Sequence, residues 1–270
     1  MSNTPQQAQA PVILEGKHDG IATLVMNRPE RLNALNNELA MALNDALGRL
    51  AADQSVSVVV IAGAGRAFCA GGDLGALGKS RQSGEIHEME PLLRAGMQMV
   101  LKMRTMPQPV IAAVNGAAAG AGLNIALAAD IRIAAEEATF GQTFSRVGLF
   151  PDYGGTYFLP QLVGRAKAAE LFYTGDIIDA KSALAIGLVN QIVPGARLEA
   201  EVKALAQKIA HGPALAIRAV KRALFASGEK ELAQALDNEV QEQMRCFLSE
   251  DCNEGIRAFF EKRPPQFQGK

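Results

Sequence analysis

An aspartate lies within the glycine-rich stretch GLFPDYGGT, which runs from Gly148 to Thr156. Pro-Asp followed by glycine is ordinary turn chemistry, so Asp152 could simply shape a turn. Apolar neighbours such as Leu149, Phe150 and Tyr153 could instead surround the carboxyl group, and desolvation would then raise its pKa and its basicity. The local sequence leaves two roles open for Asp152, a turn residue and an acid–base catalyst.

Two further loops rich in glycine and alanine each follow an apolar run. VSVVVIAG leads into GAGRAFCAGGD, and PVIAAVNG leads into GAAAGAGLNIALAAD. The first run is apolar and β-branched without polar alternation, which is typical of a strand buried on both faces. Each predicted strand therefore delivers a loop of small residues to a possible site.

Common nucleotide and metal motifs do not fit these loops. Phe68 stands where the dinucleotide fingerprint needs its third glycine, and the second loop lacks the Gly-Lys-Ser/Thr ending of a phosphate-binding loop. His18, His87 and His211 are far apart and match no zinc or serine-triad signature. We assign the histidines no chemistry and expect no metal site.

Two other features have plain structural interpretations. Cys69 lies in the first glycine-rich loop without a partnered histidine, which predicts a small packing residue instead of a nucleophile. Lys221 and Arg222 stand side by side on a predicted helix, where they are most simply part of a solvated face.

Composition indicates a globular protein without strong electrostatic attraction to polyanions. The 270 residues are 49% hydrophobic and carry a formal net charge of −1, so we expect neither nucleic acid nor a membrane as partner. Cys69, Cys246 and Cys252 have no disulfide or metal spacing, which favours a reducing compartment. The first residues lack a secretory signal, and no apolar run reaches the ~18 residues of a spanning helix. The predicted location is cytoplasmic.

The elements that must position these loops alternate between strand and helix patterns in the first half of the chain, which predicts an α/β fold. A helix is predicted from about Asn37, with Asn36 or Asn37 as its cap, and another from Glu85 to Met103. Nearly continuous helix patterns follow from about Arg197. The predicted organisation is a flexible tail at 1–10, a core at 11–195 and a helical region at 196–270.

Several of these stretches together resemble the crotonase (enoyl-CoA hydratase/isomerase) superfamily. The match includes GRAFCAGGDL, PVIAAVNGAAAGAGLNIALAAD, FGQTFSRVGLFPDYGGTYFLPQLVG and the terminal GIRAFFEKRPPQF, in the right order. It covers nearly the whole chain from about residue 12. The resemblance implies a spiral of strand-strand-helix units and a C-terminal helical region that builds homotrimers, often paired into hexamers.

The resemblance also implies site residues for an acyl-CoA thioester. The backbone N–H groups of Gly72 and Ala121 match the family's oxyanion hole, which stabilises a thioester enolate. Coenzyme A is part of the substrate, so no separate cofactor is expected. The positions that match the family's substrate-binding and CoA-binding surface are Arg28, Ala67, Phe68, Ala70, Gly71, Asp73, Leu74, Phe144, Tyr153 and Lys262. For Arg28 and Lys262 the alternative is an ordinary exposed base.

The sequence departs from the hydratases of the family at both of their catalytic glutamates. Asn124 and Phe144 occupy those positions, and neither an amide nor a phenyl ring can accept a proton near neutral pH. The loop around Asp152 instead resembles the epoxyphenylacetyl-CoA isomerase and 3-enoyl-CoA to 2-enoyl-CoA isomerase branch. The resemblance therefore favours Asp152 as the acid–base group, with Asn124 as a group that could orient the substrate.

The predicted function is an acyl-CoA isomerase. It would move a double bond from 3-enoyl-CoA to 2-enoyl-CoA, or rearrange an epoxy or oxepin acyl-CoA, through an enolate held by Gly72 and Ala121. A 2-enoyl-CoA hydratase is the nearest enzymatic alternative. A noncatalytic oligomer that binds a CoA thioester or RNA, or acts as a scaffold, is an alternative of another class.

Overall fold

The computed structural model describes residues 11–226 and 229–266, so the predicted tail at 1–10 lies outside the described residues. Strands and helices alternate along most of this part of the chain. The strands are β1 (Ile13–His18), β2 (Ile21–Met26), β3 (Val58–Gly63), β4 (Ala67–Cys69), β5 (Val110–Val114), β6 (Ala117–Ala119), β7 (Ile131–Ala135), β8 (Thr139–Gly141), β9 (Ile177–Asp179) and β10 (Gln191–Val193). The helices are α1 (Asn37–Ala52), α2 (Leu74–Ser83), α3 (Met89–Thr105), α4 (Ala121–Ala128), α5 (Gly155–Thr174), α6 (Ala180–Ala185), α7 (Leu198–Ala210), α8 (Ala214–Ala226), α9 (Glu229–Leu248) and α10 (Glu250–Glu261).

These strands form two sheets. The larger sheet has the order β1-β2-β3-β5-β7-β10 and is parallel except for the β1–β2 pair. The smaller sheet has the order β4-β6-β8-β9 and is parallel except for the β8–β9 pair. In three successive units, a strand of the larger sheet is followed by a strand of the smaller sheet and then by helix. The predicted α/β spiral of strand-strand-helix units is therefore confirmed.

Helix α1 shows how the sequence specifies these elements. The Asn36 side chain accepts a hydrogen bond from the Leu39 N–H at 3.0 Å, which caps the helix where the sequence predicted. The leucines that recur at helical spacing, Leu39, Leu43, Leu47 and Leu50, are all buried against the sheet core. Strand β3 is buried along most of its length, as its β-branched run predicts.

The second predicted helix differs from the observed one. Helix α3 begins at Met89 instead of Glu85, because Gly84 adopts a left-handed conformation (φ 78°) and a short 3₁₀ turn, Ile86–Glu88, follows it. Sequence reasoning also missed α2. Its apolar pattern is weak, and the strongest signal is its cap, since Asp73 Oδ1 accepts from the N–H groups of Gly75 and Ala76.

The helices predicted from about Arg197 are present as α7 to α10. Helices α9 and α10 do not form a separate layer, because Phe247 and Ile256 share a buried apolar cluster with Leu77 of α2 and Leu92 of α3. The division at residue 195 and the role of the helical region in oligomerisation stay predictions.

The interpretation of Lys221 as part of a solvated face is wrong. Its side chain is buried, and Nζ donates to the carbonyl oxygens of Met103 and Gln108, both at 2.8 Å. The same ammonium lies 2.9 Å from Asp130 Oδ2. Arg222 is exposed as expected. Lys221 therefore anchors α8 to the core, because burial of a charge requires such partners.

Candidate active site

A cavity of about 560 Å³ lies where the two glycine-rich loops, the Asp152 loop and the C-terminal helices meet. Its wall is largely apolar. The first glycine-rich loop contributes Gly71 and Gly72, the second contributes Gly120 and Ala121, and helix α3 contributes Met89, Leu92 and Leu93. Asp152 lines the same cavity. A mostly apolar cavity with a few convergent polar groups is the usual form of a small-molecule site.

Gly72 forms an isolated parallel β-bridge with Leu35. Leu35 N–H donates to Gly71 O at 2.7 Å, and Asp73 N–H donates to Leu35 O at 2.9 Å. In a parallel bridge of this kind the N–H of the bridging residue takes no part, so the Gly72 N–H points away from Leu35. Gly72 is exposed, and it lies on the cavity.

The second predicted donor stands at the start of helix α4. Ala121 is the first residue of this helix, whose opening N–H groups have no partner within the helix. The preceding Gly120 has φ 50° and ψ −127°, a conformation that glycine tolerates and that turns strand β6 into the helix. The cavity therefore meets the positive end of the helix dipole at Ala121.

The two loops are in close contact at Gly71. A Cβ atom on Gly71 would lie 2.8 Å from Ala119 O and 3.7 Å from the Ala121 nitrogen. Only glycine allows this approach. Gly72 and Ala121, which are 49 positions apart in the sequence, are consequently adjacent on one side of the cavity.

Asp152 is buried, with 8% of its surface exposed. Gln243 Nε2 donates to its Oδ2 at 3.3 Å, and its Oδ1 has no hydrogen-bond partner among the described residues. Burial and the negative charge of Glu239 together raise the pKa of Asp152 to about 8, and the Gln243 hydrogen bond opposes the shift. A carboxyl group in this state titrates near neutral pH, as a general acid–base catalyst requires.

Asn124 is fully buried next to the Asp152 loop. Its Nδ2 donates to the backbone oxygen of Asp152 at 2.7 Å, and its Oδ1 accepts from Gln142 Nε2 at 2.7 Å. Both ends of the amide are thus engaged inside the protein, and Asn124 is not among the described residues that line the cavity. We expected an orienting contact with substrate, whereas the geometry has the amide holding the Asp152 loop.

Helix α9 supplies two residues that sequence reasoning missed. Glu239 accepts from Gly154 N–H at 2.7 Å and from Thr156 N–H at 3.0 Å, and the Thr156 hydroxyl also donates to it. Gln243 lies one turn later and accepts from Phe150 N–H at 3.0 Å. Burial raises the pKa of Glu239 to about 7 against these hydrogen bonds. The available signal was a polar pair at i and i+4 on the helix, which ordinarily indicates a solvated face.

The other predicted positions divide into two groups. The cavity wall includes Ala70, Gly71, Asp73, Leu74, Phe144 and Tyr153. The described residues on the wall do not include Arg28, Ala67, Phe68 or Lys262. Ala67 and Phe68 are buried in the core, and Lys262 is exposed beyond the end of α10.

Arg28 is turned inward instead of being an exposed base. Its Nη2 lies 3.2 Å from Asp73 Oδ2, and its Nη1 donates to the backbone oxygen of Ala34. Asp73 in turn caps α2, so this pair fixes the loop that carries Gly72. The arginine that does line the cavity in this region is Arg31, which sequence reasoning did not select.

Cys69 behaves as a packing residue. It is fully buried, burial raises the pKa of its thiol to about 12, and its Sγ donates to Asn33 O at 3.1 Å.

In residues 11–226 and 229–266, no cluster of three or more histidine, cysteine, aspartate or glutamate side chains could ligate a metal ion. Among the same residues, no helix combines the length and hydrophobicity needed to cross a membrane.

Comparison with known proteins agrees with this fold. The chain is 33% identical to an enoyl-CoA hydratase of known structure from Mycobacterium avium subsp. paratuberculosis, with a TM-score of 0.86 over 95% of this chain and 98% of the other. An enoyl-CoA hydratase from Bacillus halodurans gives a TM-score of 0.87 at 27% identity, over 92% of this chain and 99% of that one. The architecture is therefore the crotonase fold.

Sequence comparison identifies the family. Residues 16–270 match the family model described as enoyl-CoA hydratase/isomerase. A probable enoyl-CoA hydratase of Rhodobacter capsulatus is 43% identical, covering 93% of this chain and 96% of that protein. The 1,2-epoxyphenylacetyl-CoA isomerase of Escherichia coli is 38% identical, covering 96% and 98%. The chain belongs to the enoyl-CoA hydratase/isomerase family, a group of crotonase-superfamily enzymes, as its signature loops predicted.

Proposed function

We propose that this protein is an acyl-CoA isomerase in which Asp152 moves a proton and the N–H groups of Gly72 and Ala121 stabilise the enolate. The observation that carries the proposal is the burial and incomplete hydrogen bonding of the Asp152 carboxyl group. Its carboxyl group is buried on the cavity, and Oδ1 accepts no hydrogen bond from the described residues. Desolvation raises the pKa of Asp152 to about 8, which makes its carboxylate a stronger base than an exposed one.

The proposed reaction moves a double bond toward the thioester. Asp152 removes a proton from the carbon next to the thioester carbonyl of a 3-enoyl-CoA, and the carbonyl oxygen gains negative charge as the dienolate forms. The Gly72 and Ala121 N–H groups are placed to stabilise that oxygen, and one such donor is typically worth about 10²-fold or more in rate. Asp152 then returns the proton to the far end of the dienolate, which gives the conjugated 2-enoyl-CoA. A single acid–base group therefore suffices.

Hydration is less well supported by the cavity wall. The resemblance assigns the two hydratase glutamates to Asn124 and Phe144, and neither side chain can carry a proton at neutral pH. The acidic side chains among the described wall residues are Asp73 and Asp152. Asp73 is engaged with Arg28 and with the first turn of α2. Hydratase activity stays the alternative because relatives named as hydratases are as similar as the isomerase.

The acyl-CoA substrate follows from the family and from the apolar wall. Leucines and phenylalanines make up much of the cavity wall, which suits a hydrocarbon or ring-derived acyl group. An epoxy or oxepin acyl-CoA is the second substrate class, favoured by the similarity to the epoxyphenylacetyl-CoA isomerase. A homotrimer or hexamer stays part of the proposal, and Leu215, Leu224 and Phe260 are large exposed apolar side chains that an oligomer could cover.

The test is conversion of a 3-enoyl-CoA to its 2-enoyl isomer, followed by ultraviolet absorbance, with the parent and Asp152→Asn. We expect activity in the parent, a loss of at least 10²-fold in the folded variant, and a parent kcat/KM that rises with pH through about 8. Equal activity of the two proteins would make Asp152 a turn residue. Rapid hydration of crotonyl-CoA without isomerisation would favour the hydratase, and absence of CoA binding in calorimetry would favour a scaffold.

A further inference from the structure

Helix α9 contacts the Asp152 loop on both sides of the aspartate. Gln243 accepts from Phe150 N–H at 3.0 Å, two residues before Asp152, and Glu239 accepts from Gly154 N–H at 2.7 Å, two residues after it. Glu239 and Gln243 are each only 1% exposed. One helical turn therefore holds the loop by its backbone and also contacts the carboxyl group, since Gln243 donates to Asp152 Oδ2.

We propose that Glu239 and Gln243 are positioning residues for the reaction: together they hold the Asp152 loop on both sides of the aspartate and set the charge and hydrogen bonding around its carboxyl group. Gln243 binds one carboxyl oxygen of Asp152, and the other has no hydrogen-bond partner among the described residues. This inference deepens the proposed function and rests on it for the kinetic consequence alone.

The hydrogen bonds determine which carboxyl group ionises first. Glu239 receives three donors, two from backbone N–H groups and one from the Thr156 hydroxyl, and each favours its ionised form. Asp152 receives one side-chain donor at 3.3 Å, and its Oδ1 has no partner among the described residues. Glu239 therefore ionises first, and its charge then disfavours ionisation of Asp152, which agrees with the raised pKa of both groups. The two groups titrate as a coupled pair.

Other charged groups around the cavity do not take the place of Glu239. Arg31, Asp73 and Arg146 line its wall, but Asp73 is engaged with Arg28. Apart from its own backbone N–H, the groups whose charge or hydrogen bonding shifts the pKa of Asp152 are Glu239 and Gln243, both from α9. The α3 and α10 side chains on the wall are apolar, and Tyr153, next to Asp152 in the chain, is a buried phenol.

The proposal differs from a purely structural role for α9 in what it predicts for Asp152. If Glu239 only stabilises the fold, its replacement should lower stability without moving the titration of Asp152. If the charge of Glu239 raises the pKa of Asp152, its replacement must lower the titration midpoint of Asp152. Replacement of Gln243 should instead raise the titration midpoint of Asp152, because its hydrogen bond favours the ionised form of Asp152.

The experiment is a pH titration of the resting protein, without substrate, by NMR of ¹³C-carboxyl-labelled aspartate. The Asp152 signal is identified by its loss in Asp152→Asn. We expect its midpoint to fall by about 1 unit in Glu239→Gln and to rise in Gln243→Leu. Asp237→Asn is the matched control, since it removes one negative charge from an exposed position on the same helix and should leave the midpoint unchanged. An unchanged midpoint in folded Glu239→Gln overturns the inference, and so does an equal shift in the control.

A kinetic measurement tests the consequence for the reaction. At a pH above both midpoints, where Asp152 is ionised in both proteins, Glu239→Gln should lower kcat for 3-enoyl-CoA isomerisation by about 10-fold with KM retained. Its pH–rate midpoint should move in the same direction as the NMR midpoint. If neither protein isomerises a thioester, the proposed function fails while the NMR titration still decides the role of Glu239. If the parent isomerises and Glu239→Gln matches it in both midpoint and kcat, the positioning role fails and the proposed function stands.

Discussion

Replacement of Asp152 by asparagine should stabilise the protein progressively relative to the parent as the pH rises toward neutral, although it should remove activity. The pKa of Asp152 is raised from 3.8 to about 8 in the folded protein. An aspartate whose pKa is higher in the folded state than in the unfolded state contributes most to the free energy of unfolding below the unfolded-state pKa. This contribution is lost as the pH rises toward the folded-state pKa. The unfolded chain releases the proton near pH 4, whereas the folded protein keeps it until about pH 8.

The expected magnitude follows from the width of this window. Between pH 5 and pH 7, Asp152 is ionised in the unfolded chain and protonated in the folded one. The free energy of unfolding of the parent therefore falls by about 1.4 kcal/mol for each pH unit. The parent should therefore lose about 3 kcal/mol relative to Asp152→Asn over these two units. Any cost of burying the asparagine amide is independent of pH and cancels in the comparison.

The assay is urea-induced unfolding of both proteins at pH 5 and pH 7 at one fixed protein concentration. The concentration must be fixed because any oligomer makes the apparent stability depend on it. The free energy of unfolding of Asp152→Asn minus that of the parent should be about 3 kcal/mol larger at pH 7 than at pH 5. The same difference at both pH values would mean that Asp152 has an ordinary pKa, and the argument for it as the base would fail.

Three further outcomes are expected. Ala121→Pro should lower kcat by about 10²-fold or more while the protein stays folded, because proline is tolerated at the first position of a helix but has no N–H, and Asn37→Pro at the first position of α1 should leave kcat unchanged. Lys221→Met should lower the free energy of unfolding by about 2 kcal/mol because it removes the ammonium donor from the buried Met103 and Gln108 carbonyl oxygens and from Asp130, whereas Arg222→Met should change it by less than about 0.5 kcal/mol in the same denaturation assay. Cys69, a buried thiol with a pKa of about 12, should not react with a thiol reagent unless urea unfolds the protein, as mass spectrometry would show.

The sequence predicts those parts of the molecule that local patterns determine. Strand β3 and helix α1 follow from their periodicity, and the loops at Gly72 and Ala121 follow from small residues placed directly after buried strands. These features depend on neighbours in the chain, so the local pattern carries the information. The family resemblance then supplies the order in which the strands assemble.

Contacts between distant segments were not predictable in the same way. Glu239 and Gln243 are polar residues on an amphipathic helix, and no local pattern distinguishes them from a solvated face. Lys221 is buried and its neighbour Arg222 is exposed because of where α8 docks, which depends on Asp130 some 90 positions earlier. Asn124 and Arg28 likewise hold loops instead of facing the cavity, since each binds one backbone oxygen and one distant side chain, partners that no motif identifies.

The attachment of the Asp152 loop to helix α9 bears on when this enzyme becomes competent during its own synthesis. A ribosome-bound chain that has been synthesised as far as residue 220 already contains Gly72, Ala121 and Asp152, yet Glu239 and Gln243 have not been made. Until they arrive, the loop lacks two of its backbone anchors, and the carboxyl group lacks the neighbour that raises its affinity for a proton. In the proposed mechanism, proton transfer by Asp152 would therefore become available only in the last stage of translation, after the signature loops of the family have been made.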